Sequence, residues 1–121
     1  MDSRTIDFEE SFWRTQYRSR PYVTYGARVD DYLPAYRYGI DASIQFPDRS
    51  FADIEETLSR NWIRARGPSS LKWTKARLAA LDAWERMGHI IAALKVAAVA
   101  TAEREGKELV ERLAQAPDKL R

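Results

Sequence analysis

The chain has 121 residues, 45% of them hydrophobic and 31% charged. That is the length of one domain and the composition of a folded protein rather than a disordered one. A net charge of +2 is too small to imply a polyanion partner, and the lack of cysteine excludes a disulfide framework, a thiolate nucleophile and a cysteine-based metal site.

The start, Met1-Asp2-Ser3-Arg4, has no charged-then-apolar signal pattern. The longest apolar stretches, residues 87–94 and 96–102, are split by Lys95 and together are too short to span a bilayer comfortably. A cytoplasmic, soluble chain with no membrane insertion is the expectation. All fourteen Phe, Trp and Tyr residues lie between Phe8 and Trp84. The first two-thirds of the chain therefore builds a bulky aromatic core, and the last third reads as an Ala-rich helix suited to close approach by a neighbour.

The first helix is predicted over about residues 5–18, with Phe8 and Phe12, and Trp13 and Tyr17, each four apart on one face. Pro21 and Gly26 break the pattern, so residues 22–29 read as a loop. A second helix is predicted from an Asp31 N-cap, which places Pro34 at the third helical position, where its missing N–H loses no intrahelical bond. Tyr32, Tyr36, Ile40 and Ile44 follow at four-residue spacing as one apolar stripe. Gly39 sits on the neighbouring row. Its expected use is to admit another helix or a ring to the backbone, at roughly 1 kcal/mol of propensity relative to Ala. Phe46-Pro47-Asp48 ends the segment.

The third helix is the best signalled. Ser50 is its N-cap, Asp53 adds a charge near the positive end of the dipole, Ile54, Leu58 and Trp62 form the buried stripe, and Gly67-Pro68 is the stop. The fourth begins after Ser69-Ser70, with Leu71, Leu78, Leu81, Trp84, Met87, Ile91, Leu94 and Ala98 able to share a broad face that continues through Leu109 and Leu113. Unbroken over residues 71–113 it would be roughly 64 Å long at 1.5 Å per residue. A compact domain of this size has a radius of gyration of only about 14 Å. The helix is therefore expected either to break, near Gly88 or Gly106, or to pack against another chain.

The fold class is all-α: about three short helices plus a long C-terminal one, in a single domain over 1–121. Residues 5–87 form its aromatic-rich unit and residues 88–121 a helical extension. Phe12, Tyr32, Tyr36, Ile40, Ile54, Leu58, Trp62 and Trp84 are the expected core.

Four constellations could carry function. Tyr32, Tyr36 and Tyr38 with Arg37 could stack on a ligand, but the stripe spacing already accounts for Tyr32 and Tyr36 as core rings, and Arg37 could cover a ring. A basic run, Arg60, Arg64, Arg66, Lys72, Lys75 and Arg77, has Trp62 and Trp73 interleaved and no acidic residue. Cations around a stacking ring suit a phosphate backbone and unstacked bases, and Ser69/Ser70 at a helix start would suit a phosphate. The plainer reading is a solvated basic face paired with the acidic residues between 48 and 56, with both tryptophans in the core. His89, the only histidine, has only Glu85 at helical spacing, so no metal site is assigned. Glu9-Glu10 and Glu55-Glu56 point to different helix faces and read as solvated. No glycine-rich phosphate loop or triad is visible. Catalytic and cofactor-binding residues are therefore not assigned, no cofactor is expected, and the chain is read as not an enzyme. Fourth, residues 90–99 are apolar almost all round apart from Lys95, and such a helix is normally covered on more than one side. Ile91, Leu94 and Ala98 are the candidate interface.

The string Tyr32-Leu33-Pro34-Ala35-Tyr36-Arg37-Tyr38-Gly39 resembles the signature of the Y-x-P-A-Y-R-Y-G proteins, an uncharacterised bacterial group described as stress-associated. The resemblance covers about residues 8–87. It begins with Phe8-Glu9-Glu10 and Phe12-Trp13, continues through the octet and through Ile54-Glu55, Leu58 and Trp62, and closes with Trp73, Lys75-Ala76 and Trp84. The chain departs from the group beyond Met87, where the family unit ends and this sequence runs on for more than thirty residues. The group has no established catalytic residues, so none is carried over. The resemblance implies a bacterial stress setting. The expected function is non-enzymatic association, with itself or with a protein partner, through the C-terminal helix. The alternative is nucleic-acid binding by residues 60–77.

Overall fold

The computed structural model describes residues 3–115. Its elements are all helical: α1 (Ser3–Gln16), a 3₁₀ turn (Tyr17–Ser19), α2 (Val29–Gln45), α3 (Phe51–Ala65) and α4 (Trp73–Gln115). They form two units, one ending at Gly88 and the other beginning at His89. Residues 116–121 of the expected extension lie outside the described residues.

α3 starts where its sequence signal places it. The Ser50 hydroxyl accepts from the Asp53 N–H at 3.1 Å, and the Asp53 carboxylate accepts from the Ser50 N–H at 3.4 Å. This reciprocal box satisfies two of the donors a helix N-terminus leaves open. At the far end Gly67 takes φ 52, a left-handed conformation that stops the helix without a Cβ clash.

α2 corrects the expectation. It begins at Val29, after Arg28, whose side chain makes no capping bond. Asp31 is inside the first turn because its carboxylate is committed elsewhere, to the N–H and hydroxyl of Ser70 at 3.0 and 2.9 Å. Pro34 consequently lies inside the helix rather than at its third position, where an ordinary residue would donate to the Asp30 carbonyl.

α4 starts at Trp73, not Leu71, and neither Gly88 nor Gly106 breaks it. In the first unit its innermost row is Ala76, Ala79, Ala80, Ala83 and Met87, all fully buried. Leu78, Leu81 and Trp84 flank that row half-buried. The expected Leu-led face is thus rotated. The cause is close approach, since α2 presents Gly39 to Ala80 and only small residues fit between the two backbones. Tyr32, Tyr36, Ile40, Ile54, Leu58 and Trp62 are buried. Phe12 and Trp84, expected in the core, are half-buried. Phe12 instead lies under the Arg86 guanidinium, 3.5 Å from its ring centre, and Trp84 packs edge-on to Phe51 at the margin of the α2–α3–α4 cluster.

Candidate functional site

The Tyr32–Gly39 octet builds a packing device. Tyr36 stacks face to face on Trp13 of α1, with ring centres 4.4 Å apart and planes 6° from parallel. Its hydroxyl meets that of Tyr22 at 2.7 Å, and Tyr22 donates to Asp82 of α4 at 2.6 Å. Arg20 grips the same carboxylate with two bonds of 2.7 and 3.0 Å. Burial pushes the Tyr36 phenol up to about 12. Tyr22 is driven higher still by burial first, then by its bonds to Asp82 and Tyr36. Tyr32 donates to the Tyr22 carbonyl at 3.4 Å and Tyr38 to the Leu58 carbonyl at 2.8 Å. All three signature hydroxyls therefore have partners inside the first unit. Arg37 does not lie over a ring; it pairs with Glu10 of α1.

Beside the octet is a shallow cleft of about 260 Å³, lined by Pro34, Arg37, Tyr38 and Asp41 of α2 and by Gly67 and Pro68 of the turn after α3. Burial raises the Asp41 carboxyl above its ordinary value; Arg37 opposes this and Glu10 adds to it. The Glu10 pairing already engages the guanidinium, so the cleft presents no free cation of its own.

The basic run is not one surface. Arg77 holds Glu55 with two bonds of 2.5 and 2.9 Å, and Arg60 pairs with Glu56 at 3.1 Å. Arg77 keeps the Glu55 carboxyl below its usual range. Glu55 is thus held in an ion pair rather than solvated, whereas Glu56 is solvated as expected, with Arg60 beside it. Arg64, Arg66, Lys72 and Lys75 form no ion pair among the described residues. The interleaved tryptophans are not available to bases. Trp62 is buried with its indole N–H donating to the Leu71 carbonyl at 2.8 Å, and Trp73 packs against it and against Tyr38 and Phe51.

The phosphate notch expected at Ser69/Ser70 is filled by the chain itself. Ser69 is buried and its hydroxyl donates to the Asp31 carbonyl at 2.6 Å, while Ser70 holds the Asp31 carboxylate. The Ser70 bonds keep Asp31 below the ordinary carboxylate range, the backbone bond most of all.

One functional feature of the first unit escaped the sequence. Glu9, read as solvated, is fully buried, with its carboxylate taking bonds of 2.9 and 3.2 Å from Nε of Arg86. The i, i+4 spacing of Glu9 and Trp13 on α1, both buried, was the available signal. Among the described residues no cluster of His, Cys, Asp or Glu could hold a metal, and His89 is exposed.

The second unit has the opposite character. Residues 92–114 are exposed throughout. They include Leu94, Val96, Val99, Leu109, Val110 and Leu113, each more than half exposed. Of the candidate interface, Leu94 and Ala98 are exposed and Ile91 is half-buried. No helix among the described residues is long and apolar enough to cross a membrane. Compared with known protein families, curated proteins and solved structures, the chain matches none.

Proposed function

We propose that this chain is a non-enzymatic helical protein that works by association, with the helix of residues 89–115 as its contact surface. The observation that carries the reading is the exposure of six large aliphatic side chains on that one segment. Large apolar side chains left exposed in such number on one segment mark a candidate interaction site. The first unit supports the same reading by contrast. Its tyrosine hydroxyls are bonded internally and much of its charge is spent on internal ion pairs, so its polar groups serve the fold. The resemblance carried by Tyr32–Gly39 adds a bacterial stress setting to the proposal, and the absence of a signal pattern at residues 1–4 adds a cytoplasmic location.

Light scattering on the intact protein across micromolar concentrations tests the reading. The expected result is a mass above that of one chain. Leu94→Glu with Ala98→Glu should return it to one chain while tryptophan fluorescence stays native, because every tryptophan lies in residues 13–84. A single-chain mass for the unaltered protein at all concentrations would refute self-association.

A further inference from the structure

We propose that the cleft between α2 and the turn after α3 binds a small organic amine, as its ammonium cation, with the Asp41 carboxylate as the anchor. The inference concerns the first unit alone and stands apart from the association reading.

The walls set the size and character of the ligand. Leu33, Pro34, Ala65 and Pro68 line the cleft with apolar surface, and Tyr38 lines it with them. The Tyr38 hydroxyl is spent on the Leu58 carbonyl, so its ring is what remains for a ligand. At about 260 Å³ the space suits one ring or a short alkyl chain, not a nucleotide or a length of peptide.

Charge selects the sign. Arg37 is the only cation that lines the cleft, and it is paired with Glu10. Asp41 and Asp7 act on the same guanidinium. One positive charge thus stands among three negative ones, which disfavours an anion. Asp30, also in the lining, has Arg28 as its partner. Arg64 and Arg66 flank Ala65 in sequence but do not line the cleft.

Asp41 is the acid left over. It lines this cleft and also the next hollow along the α2–α3 seam. It makes no hydrogen bond and no ion pair among the described residues. Its carboxyl is nonetheless partly desolvated, which raises it above the ordinary carboxylate value. A perturbed acid in a cleft is the pattern of a binding site. A desolvated carboxylate without a partner gains most from a cation that carries its own N–H donors. An aromatic ring beside it attracts the same charge. A metal ion is not the match, because no cluster of His, Cys, Asp or Glu among the described residues could hold one. An ammonium group on a small apolar body suits the walls, the ring and the acid together.

Calorimetric titration of the intact protein with three probes of one shape tests the assignment: benzylammonium, benzyl alcohol and benzoate. The expected Kd for benzylammonium is about 1 mM, with the alcohol and the benzoate weaker by about tenfold or more. Amide resonances of Tyr38 and Gly67 should shift on binding. Asp41→Asn keeps the shape of the side chain and should reduce benzylammonium to the level of the alcohol, with helicity unchanged. Asp48→Asn removes an exposed acid outside the cleft and should change nothing. Equal affinity for the alcohol, undiminished binding in Asp41→Asn, or shifts confined to other parts of the chain would overturn the proposal. So would an equal loss in Asp48→Asn, which would reduce the effect to diffuse charge attraction. Absence of both heat and shifts with benzylammonium at about 10 mM would overturn it as well.

Discussion

Gly39 of α2 lies with its backbone against Ala80 of α4, so closely that a Cβ on residue 39 would stand 2.1 Å from the Ala80 carbonyl oxygen. The obstacle is backbone, not the tip of a flexible side chain, so relief requires the two helices to move apart. Overpacking of this kind costs typically about 1–3 kcal/mol and occasionally more. Gly39→Ala should fall at or above the top of that range in urea unfolding. Gly88, on the open side of α4, has nothing within 4 Å of such a Cβ. Gly88→Ala should therefore stabilise by about 0.5–1 kcal/mol, the helix preference alone. Equal effects at the two positions would show that the close contact does not govern the packing.

That contact also explains what was legible in the sequence. The use of Gly39 could be read because a glycine on the flank of an apolar stripe has few other purposes. The inner row of α4 could not. Leu78, Leu81 and Trp84 outrank alanine on any hydrophobicity scale, yet the approach of Gly39 to Ala80 leaves room only for Ala76, Ala79, Ala80 and Ala83. The limits of α3 were local information, held in the Ser50–Asp53 box and the left-handed Gly67. The start of α2 was not, because Asp31 is spent on Ser70, thirty-nine residues away. For Glu9 the spacing to Trp13 was the one local signal, and the partner that makes its burial tolerable, Arg86, is seventy-seven residues distant.

The Tyr22–Tyr36 pair makes the first unit sensitive to alkali. In the unfolded chain a tyrosine ionises near 10. In the folded protein burial holds Tyr36 neutral up to about 12, and Tyr22 is held neutral higher still. Between those values the unfolded state gives up protons that the folded state keeps. The stabilisation is complete below pH 10 and is lost as pH rises, at roughly 1.4 kcal/mol per pH unit for each tyrosine. Stability should fall from pH 10 upward, with Tyr22→Phe flattening the slope. If the tyrosinate absorbance that appears near pH 10 in the folded protein fell by one residue in Tyr22→Phe and by one in Tyr36→Phe, the buried network would be contradicted.

Nucleic-acid binding by Arg60, Arg64, Arg66, Lys72, Lys75 and Arg77 should be feeble. Arg60 and Arg77 are engaged by Glu56 and Glu55, the Ser70 notch holds Asp31, and Trp62 has no free face. Fluorescence anisotropy with single-stranded and duplex probes should give nothing tighter than ~10⁻⁵ M at physiological salt, within the usual non-specific range. Trp62→Ala should act on stability instead, by about 3–5 kcal/mol, as a core truncation does. Sub-micromolar affinity that falls steeply with salt and disappears in Arg64→Glu/Lys75→Glu would reverse the ranking of the two functions.

The last prediction concerns Glu9 and Arg86, where burial is unequal. The Glu9 carboxylate is 1% exposed, whereas the Arg86 side chain keeps 31% of its surface in contact with solvent and covers the Phe12 ring. Removing the arginine strands a buried carboxylate, and breaking such a pair from one side costs about 3–5 kcal/mol. Removing the acid leaves a cation that still reaches water and still lies over an aromatic face, so the loss should be smaller. Arg86→Met is thus expected to destabilise more than Glu9→Gln, a substitution that keeps the shape and an acceptor for Arg86 Nε. Glu9→Met combined with Arg86→Met replaces the pair with apolar atoms of similar volume and should recover most of the stability lost in Arg86→Met alone. Denaturation curves of the unaltered protein, Glu9→Met, Arg86→Met and the Glu9→Met/Arg86→Met double form a double-mutant cycle. A coupling energy near zero would show that the two side chains contribute independently, and that Glu9 owes its place to the packing of α1 rather than to Arg86.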